Sequence, residues 1–363
     1  MNATERALAC LNYEKYDRLP RVHFGWWQET LDAWKKQGHI TDADYENSYG
    51  VLAPRLGFDY EWGQGGLWVN GNLSPGFDEE VLERLPDGSV KSRDGSGLIV
   101  LTKPGVASIP AEIDTSLKTR EDWETLYRPR LQFSADRVAK AHFALNPNAF
   151  PQPLYCGSLF GNIRNWLGVQ GLAYMYADDP DLLREIIDTV GDLCFRLVEE
   201  GLGTGHRFAF GHFWEDICFK NGPLFRPDLL QEWVDPHYRR ITDLLASHGT
   251  SLVSLDCDGL IDELIPLWLD NGVNVMFPIE VGTWGASIAP WRAKYGKALR
   301  GVGGMDKRVF AEDRAAVDRE IERLRALVDL GGFIPCPDHR IPPDAKFGNV
   351  AYYVERLAQV FGA

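Results

Sequence analysis

The stretch SLVSLDCDGLIDELIPLWLDNGVNVMFPIE, residues 251–280, decides the fold of this chain. It contains two short apolar runs, Ser251–Leu255 and Val273–Pro278. Between them, Leu260–Asn271 has the apolar spacing of a helix, and Gly272 follows as a helix-terminating residue. A strand, a helix and a second strand in this order form a βαβ unit, whose two strands run parallel. The stretch therefore predicts a parallel α/β sheet.

The same alternation continues on both sides of this unit, from about residue 150 onward. The other predicted strands are Pro153–Cys156, Arg207–Gly211, Leu299–Gly303 and Gly332–Pro335, and the other predicted helices are Asp181–Glu200, Pro227–Ser247, Ser287–Tyr295 and Arg314–Leu330. Further strands are predicted near Arg21–Phe24 and in or just before Ile99–Pro104. Together these strands favour a closed (β/α)8 TIM barrel. A doubly wound open sheet is the alternative, although no Gly-x-Gly-x-x-Gly motif follows a first strand to support it.

The domain prediction is a single barrel domain over residues 1–363 with one insertion at about residues 50–123. The insertion contains Asp87-Gly-Ser and Asp94-Gly-Ser-Gly, which are typical of hairpin turns. We therefore expect a β-rich excursion at the barrel mouth, where it can help to cover a site.

The composition of the chain indicates its cellular compartment and the classes of partner that it can bind. The chain has 38 Lys and Arg against 52 Asp and Glu, a formal charge of −14, which disfavours binding to nucleic acid. No apolar stretch approaches the ~18 residues that span a membrane, and the first residues lack the apolar core of a signal peptide. The 6 cysteines form no Cys-x-x-Cys pair and do not suggest a disulfide framework. These features predict a cytoplasmic enzyme acting on a small molecule.

Polar side chains follow several predicted strands, which is where barrel enzymes place their chemistry. Asp256 and Asp258 follow one strand, Glu280 and Asp306 follow the next two, and His339 follows the last. Carboxylates and a histidine at one end of a barrel can hold a divalent metal such as zinc, or relay protons without a metal. Each carboxylate taken alone is explained as well by capping of the next helix.

Aromatic residues near the strand ends predict the wall of a substrate cavity. The predicted substrate contacts are His23, Trp26, Trp214, Asp216 and Trp284. Aromatic walls suit a flat or apolar ligand, although each tryptophan alone is more simply explained as core packing. Cys257 and Cys336 lie beside the candidate site, and we interpret both as buried apolar residues rather than as zinc ligands.

Short motifs, in order along nearly the whole chain, resemble those of the uroporphyrinogen decarboxylase-like superfamily. They include Thr4–Glu14 with Asp17-Arg-Leu-Pro20, Gly157-Ser-Leu-Phe160, Pro278-Ile-Glu280, Gly303-Gly-Met-Asp306 and Pro337-Asp-His339. The resemblance implies an α/β barrel and one of two activities. One is cofactor-free decarboxylation of uroporphyrinogen. The other is zinc-dependent methyl transfer between a corrinoid protein and a thiol or tetrahydrofolate.

The resemblance also assigns family positions to residues of this chain. The zinc-binding His-x-Cys pair of the methyltransferases falls on Asp256 and Asp258, and their later cysteine falls on His339. An oxygen-rich set of ligands shifts the metal preference away from a thiol-activating zinc site. The Arg-Gln-Ala-Gly-Arg segment of the decarboxylases is replaced by His23-Phe-Gly-Trp-Trp27, whereas His339 matches the histidine of their last strand loop.

We therefore predict a metal-assisted methyltransferase with a corrinoid or tetrahydrofolate as methyl donor or acceptor. The predicted catalytic residues are His339, Asp258 and Glu280, and the predicted ligands of zinc or another divalent metal are Asp256, Asp258 and His339. A corrinoid carrier protein and a second copy of the chain, in a homodimer, are the protein partners considered. The alternatives are a cofactor-free decarboxylase of a tetrapyrrole or smaller carboxylated substrate, and a ligand-binding homologue without catalysis. Convergent pocket arginines would favour the decarboxylase; the candidates are Arg21, Arg164, Arg292 and Arg340.

Overall fold

The computed structural model describes residues 1–104 and 110–362. In chain order, the helices are α1 (Ala3–Leu11), α2 (Gln28–Lys36), α3 (Asp42–Glu46), α4 (Ala53–Leu56), α5 (Arg120–Asp122), α6 (Gly161–Asp178), α7 (Pro180–Leu202), α8 (Pro227–Trp233), α9 (Asp235–Ser247), α10 (Ile265–Asp270), α11 (Val281–Trp284), α12 (Ile288–Tyr295), α13 (Arg314–Asp329) and α14 (Phe347–Phe361). The strands are β1 (Val22–His23), β2 (Tyr60–Glu61), β3 (Glu80–Arg84), β4 (Val90–Arg93), β5 (Leu98–Thr102), β6 (Ala111–Thr115), β7 (Pro153–Gly157), β8 (Phe210–Trp214), β9 (Cys218–Phe219), β10 (Gly222–Pro223), β11 (Val253–Asp256), β12 (Val275–Ile279), β13 (Arg300–Met305) and β14 (Phe333–Pro337).

Six parallel strands form the central sheet, in the order β14-β13-β12-β11-β8-β7. This arrangement confirms the predicted α/β class and its parallel sheet. A separate parallel pair joins β1 to β2, and isolated bridges join Trp26 to Ile341 beyond β14 and Leu67 to Leu154 of β7. Within the described residues, the hydrogen-bonded ladder therefore stops at six strands and does not close into a barrel.

A four-stranded antiparallel sheet, in the order β3-β4-β5-β6, lies within the predicted insertion. Its strands β5 and β6 contact α6. The prediction of a barrel strand near Ile99–Pro104 is wrong, because β5 belongs to this sheet and β2 is the strand that pairs with β1. The apolar run that suggested a barrel strand, Leu98–Val100, is buried as expected, but in this small sheet.

The strand that precedes the candidate site starts later than predicted. β8 begins at Phe210 instead of Arg207, because its pairing with β7 starts at Phe210, opposite Pro153, and its pairing with β11 runs from Gly211 to Trp214. His212 and Trp214, which come after the predicted strand Arg207–Gly211, therefore lie inside β8, and their predicted positions are wrong. Asp256 is the last residue of β11 and lies opposite Trp214 in the ladder.

Three helical segments also differ from the prediction, and one of them, α10, begins at Ile265 instead of Leu260. The predicted helix Pro227–Ser247 is divided into α8 and α9 at Val234, and Pro236, in the first turn of α9, has no N–H to continue the helix before it. The helix α6 was not predicted, and its backbone is interrupted at Gly168, which has φ 65° and ψ 167°. Of the described helices, none is both long enough and apolar enough to cross a bilayer.

Candidate active site

Three aspartates meet at the carboxyl ends of the neighbouring strands β8 and β11. Asp216 lies two residues beyond β8, Asp256 ends β11, and Asp258 lies two residues further on. One carboxylate oxygen from each of the three lies within 4.8 Å of the others. Asp258 also donates its backbone N–H to Asp216 Oδ1 over 3.1 Å. We call Asp216, Asp256 and Asp258 the carboxylate group.

His339 and Glu280 adjoin the carboxylate group from other strand ends. His339 Nε2 lies 3.2 Å from Asp258 Oδ2, and the imidazole stacks on Trp27 with ring centres 5.5 Å apart. Glu280 follows β12, and its Oε2 accepts the Gly259 N–H over 2.8 Å and a hydrogen bond from Trp284 Nε1. The loop after β11 is thus held between Glu280 and Asp216.

Burial and mutual repulsion dominate the electrostatics of these carboxyls. Burial raises the pKa of Asp256 well above its ordinary value, and the charges of Asp216 and Asp258 raise it further. Burial, then the Asp258 charge, raises the pKa of Asp216 to about 6. The same two causes raise the pKa of Glu280. The nearby positive groups Arg164, His339 and Arg340 oppose these rises but do not cancel them, so protons or a cation would relieve the remaining repulsion.

Other carboxylates near the strand ends hold the structure together. Glu215 is fully buried and accepts the backbone N–H groups of residues 159–161 over 2.7–2.9 Å, which anchors the start of α6. Asp338 is also fully buried and accepts the N–H groups of Gly282 and Lys307. Asp306, which also follows a predicted strand, instead forms hydrogen bonds with the Arg308 guanidinium. It is not part of the carboxylate group, because this local partner already satisfies its charge.

The predicted aromatic contacts occupy different places. His23 and Trp26 have exposed fractions of 0% and 5% and stack on each other at 4.9 Å, whereas Trp214 is half-buried beside Asp256 at the strand end. Trp284 binds Glu280, as described above. A role in substrate binding stays a prediction for all of them. Asp216, predicted as a substrate contact, is the third member of the carboxylate group.

Sequence reasoning missed Trp27 as a site residue and named Arg340 only as one of four candidate pocket arginines. The Arg340 guanidinium lies 5.3 Å from the centre of the Trp27 ring and forms no ion pair with any residue that the structure describes. Nearby, burial raises the pKa of Glu61 to about 7, and the Arg340 charge opposes that rise. The position of Arg340, directly after His339 in the loop after the last strand, is the sequence signal for its place beside the site.

The ligand set that the structure brings together differs from the predicted one. In the described residues, the group of three mutually close ligand atoms is Asp216, Asp256 and Asp258, while His339 touches it through Asp258 alone. Cys257 is buried, and burial raises the pKa of its thiol well above the ordinary value, as befits the predicted apolar role. An all-oxygen set suits hard divalent cations such as Mg²⁺ or Mn²⁺ better than a thiol-binding Zn²⁺.

A cavity of about 770 Å³ lies elsewhere, between the antiparallel sheet and α6. Leu98, Glu112 and Val169 are among its lining residues, and it includes none of the predicted site residues. We therefore locate the candidate active site by its polar groups and not by cavity size.

Comparisons with known proteins bear on the fold. Protein-family models and curated protein sequences give no match. Among solved structures, a methyltransferase from Methanosarcina mazei is 14% identical, with 99% of each chain covered and a TM-score of 0.57. The chain shares the fold of that methyltransferase. This agrees, at the level of the fold, with the resemblance to the uroporphyrinogen decarboxylase-like superfamily.

Two further solved structures have lower scores. A putative vitamin-B12 independent methionine synthase from Listeria monocytogenes is 16% identical, with 95% of this chain and 98% of that chain covered and a TM-score of 0.40. A B12-independent methionine synthase from Shewanella sp. W3-18-1 is 10% identical, with coverage of 94% and 96% and a TM-score of 0.45. At these TM-scores, neither carries an argument about this chain.

Proposed function

We propose that this chain is a barrel enzyme that binds a divalent cation at the carboxylate group and transfers a methyl or similar group to or from a small substrate. The observation that carries the proposal is the convergence of Asp216, Asp256 and Asp258 within 4.8 Å. The shared fold with a methyltransferase supports the reaction class. We also propose that the six-stranded sheet closes into an eight-stranded barrel, in which β1 and β2 lie between its two edge strands.

The residues present fit a hard cation. Asp256 accepts no side-chain hydrogen bond from the described residues, and Asp258 Oδ1 is buried without a partner, so both have free acceptor capacity. When bound, the cation supplies Lewis acidity to a substrate oxygen or nitrogen. The protein's own groups would provide the rest. His339 Nε2, held beside Asp258 and stacked on Trp27, is placed to take or give a proton.

The methyl donor or acceptor in this proposal is a corrinoid carrier protein or tetrahydrofolate, as the family resemblance implies. Trp214 and Trp284 border the same end of the sheet and offer apolar surface to a small substrate. Glu280, tied to the Gly259 amide, fixes the loop that carries Asp258 and is the third predicted catalytic residue.

Titration calorimetry with Mn²⁺, with metal content measured in parallel, tests the cation. The wild-type protein should bind one Mn²⁺, and Asp258→Asn should weaken binding by at least about 10-fold, since even residues that only orient metal ligands contribute about 10- to 100-fold. Asp306→Asn is the matched control, because Asp306 also follows a strand of the sheet but is paired with Arg308. Absence of Mn²⁺ binding by the wild-type protein, or equal losses in both variants, would refute the proposed metal site.

Cofactor-free decarboxylation of a carboxylated substrate is the second candidate, and Arg340 favours it as a free cation beside the carboxylate group. The other candidate arginines are engaged. Arg21 pairs with Asp59, and Arg164 and Arg292 donate to backbone carbonyls. A single free arginine is a weak clamp for a substrate with many carboxylates. A purely ligand-binding role is not favoured, since no described arginine forms an ion pair with the carboxylate group.

A further inference from the structure

We propose that Arg164 is a positioning residue for the carboxylate group and that Glu112, from the antiparallel sheet, holds Arg164 in place. This inference rests on the proposed function. Arg164 lies in the first turn of α6, and its Nη2 donates to the backbone carbonyl of Asp216 over 3.0 Å. Through Glu112 and Arg164, the antiparallel sheet would influence the geometry of the carboxylate group without contacting it.

The backbone of Asp216 needs such support. Asp216 has φ 48°, the left-handed region that non-glycine residues adopt only at a cost in free energy. In this conformation its Oδ1 accepts the N–H of Asp258, which brings the two carboxylates together. The bond from Arg164 to the Asp216 carbonyl stabilises the same conformation. Loss of the bond should let the loop after β8 relax and separate Asp216 from its two partners.

Arg164 is in turn fixed by Glu112 of β6. Glu112 Oε1 lies 3.5 Å from Arg164 Nη1, and Glu112 Oε2 accepts the N–H of Val169 over 3.2 Å. Val169 directly follows Gly168, where the backbone of α6 is interrupted. The Glu112 carboxylate therefore contacts both the backbone at the interruption of α6 and the Arg164 guanidinium. The contacts form a continuous path from Glu112 through Arg164 and Asp216 to Asp258.

The direction in which the cation affinity changes when Arg164 is replaced distinguishes a positioning role from a purely electrostatic effect of its charge. A guanidinium next to the carboxylate group repels a divalent cation, so removal of its charge alone should strengthen cation binding. If Arg164 positions Asp216, its removal should instead weaken binding, because the three carboxylates no longer converge. The two roles therefore predict opposite changes.

Mn²⁺ titration of Arg164→Met tests the sign. We expect the Mn²⁺ affinity to fall about 10-fold, as for other residues that orient metal ligands, and Arg164→Lys to retain more of it. The control is Arg184→Met, which removes the same charge from an ion pair between α7 and α8 whose side chains are more than half exposed. Equal or higher affinity in Arg164→Met would overturn the inference. If that variant does not fold by circular dichroism, Glu112→Gln replaces it, with a loss of roughly 2-fold expected and an unchanged affinity counting against the inference.

Hydrogen exchange in the metal-free protein tests positioning independently of the proposed function. Arg164→Met should speed exchange of the Asp258 amide by about 10-fold, because the acceptor Asp216 Oδ1 is no longer held in place. An unchanged exchange rate overturns the inference even if the protein binds Mn²⁺. A wild-type protein that binds no Mn²⁺ but shows faster exchange in the variant overturns the proposed function and leaves the positioning role intact.

Discussion

Replacing Asp216 by asparagine should stabilise the metal-free protein at neutral and alkaline pH. Burial and the charge of Asp258 raise the pKa of Asp216 from its ordinary 3.8 to about 6. The folded state therefore keeps a proton that the unfolded state has lost between these two values. Stability falls as pH rises through this window, and the full cost is present above about pH 6. Asparagine carries no charge and can still accept the N–H of Asp258 through its amide oxygen.

The size of the effect follows from the pKa difference. A difference of about 2 units corresponds to about 2–3 kcal/mol of unfolding free energy. The entropy of unfolding is roughly 2 cal/mol/K per residue, so in a chain of 363 residues the gain should raise the melting temperature by roughly 3–4 °C at pH 8. At about pH 5, within the titration window, roughly half of the free-energy gain should remain.

Differential scanning calorimetry in a chelator, at pH 5 and pH 8, measures this shift. Asp306→Asn is the control, because burial alone would raise the pKa of Asp306 but its hydrogen bonds with Arg308 outweigh burial and lower it. The control should therefore lose stability where Asp216→Asn gains it. Added Mn²⁺ should raise the melting temperature of the wild-type protein more than that of Asp216→Asn. A melting temperature of Asp216→Asn at or below the wild-type value at pH 8 would refute the claim that the charge of Asp216 destabilises the metal-free protein.

Three further changes have clear expected outcomes. Glu215→Ala leaves the amides of residues 159–161 and the Tyr238 hydroxyl without their acceptor, so urea unfolding should show a loss of about 3–5 kcal/mol. Mn²⁺ affinity, followed by calorimetry from pH 8 to pH 5, should fall as the pH drops through about 6, because Asp216 must lose its proton to bind a cation. Gly303→Ala, at φ 121°, places a Cβ against the backbone nitrogen of Ile279, so thermal unfolding should show a loss of at least about 2 kcal/mol.

The parallel sheet was predictable because its strands are continuous apolar runs that alternate with amphipathic helices. The strands of residues 251–280 fall within two residues of their predicted limits. Their order along the chain was enough to place Asp256, Asp258 and Glu280 at one edge of a sheet. The resemblance to a known superfamily pointed to the same residues.

Other parts of the fold have no comparable signal. β2 is two residues long, so it shows no alternation, and β5 is an apolar run that resembles a barrel strand until its partners are known. α6 contains three glycines, at positions 161, 168 and 171, which lower its helix propensity and obscure its pattern. In each of these segments, tertiary contacts and not local sequence decide the structure.

The carboxylate group shows the same limit at the level of single residues. Asp216 joins the group because the ladder sets Trp214 opposite Asp256 and because the backbone of Asp216 turns left-handed. Neither the ladder register nor the backbone angle can be read from the motif Glu215-Asp216. The sequence made Asp216 a candidate, but it gave no sign that the neighbouring Glu215 is a buried structural anchor and Asp216 a member of the carboxylate group.

The contrast between these two neighbouring acids is the strongest physical argument that the carboxylate group is functional. Glu215 receives hydrogen bonds from three amides and two hydroxyls, so the fold itself offsets part of the cost of burying its charge, although burial still raises its pKa. Asp256 receives no side-chain hydrogen bond from the described residues, yet it is held beside two other acids. A fold that needs only stability can replace such a residue by an uncharged one at a gain. An uncompensated cluster is therefore best explained by a bound partner that supplies the missing positive charge, and a divalent cation supplies more of it in one ion than a proton does.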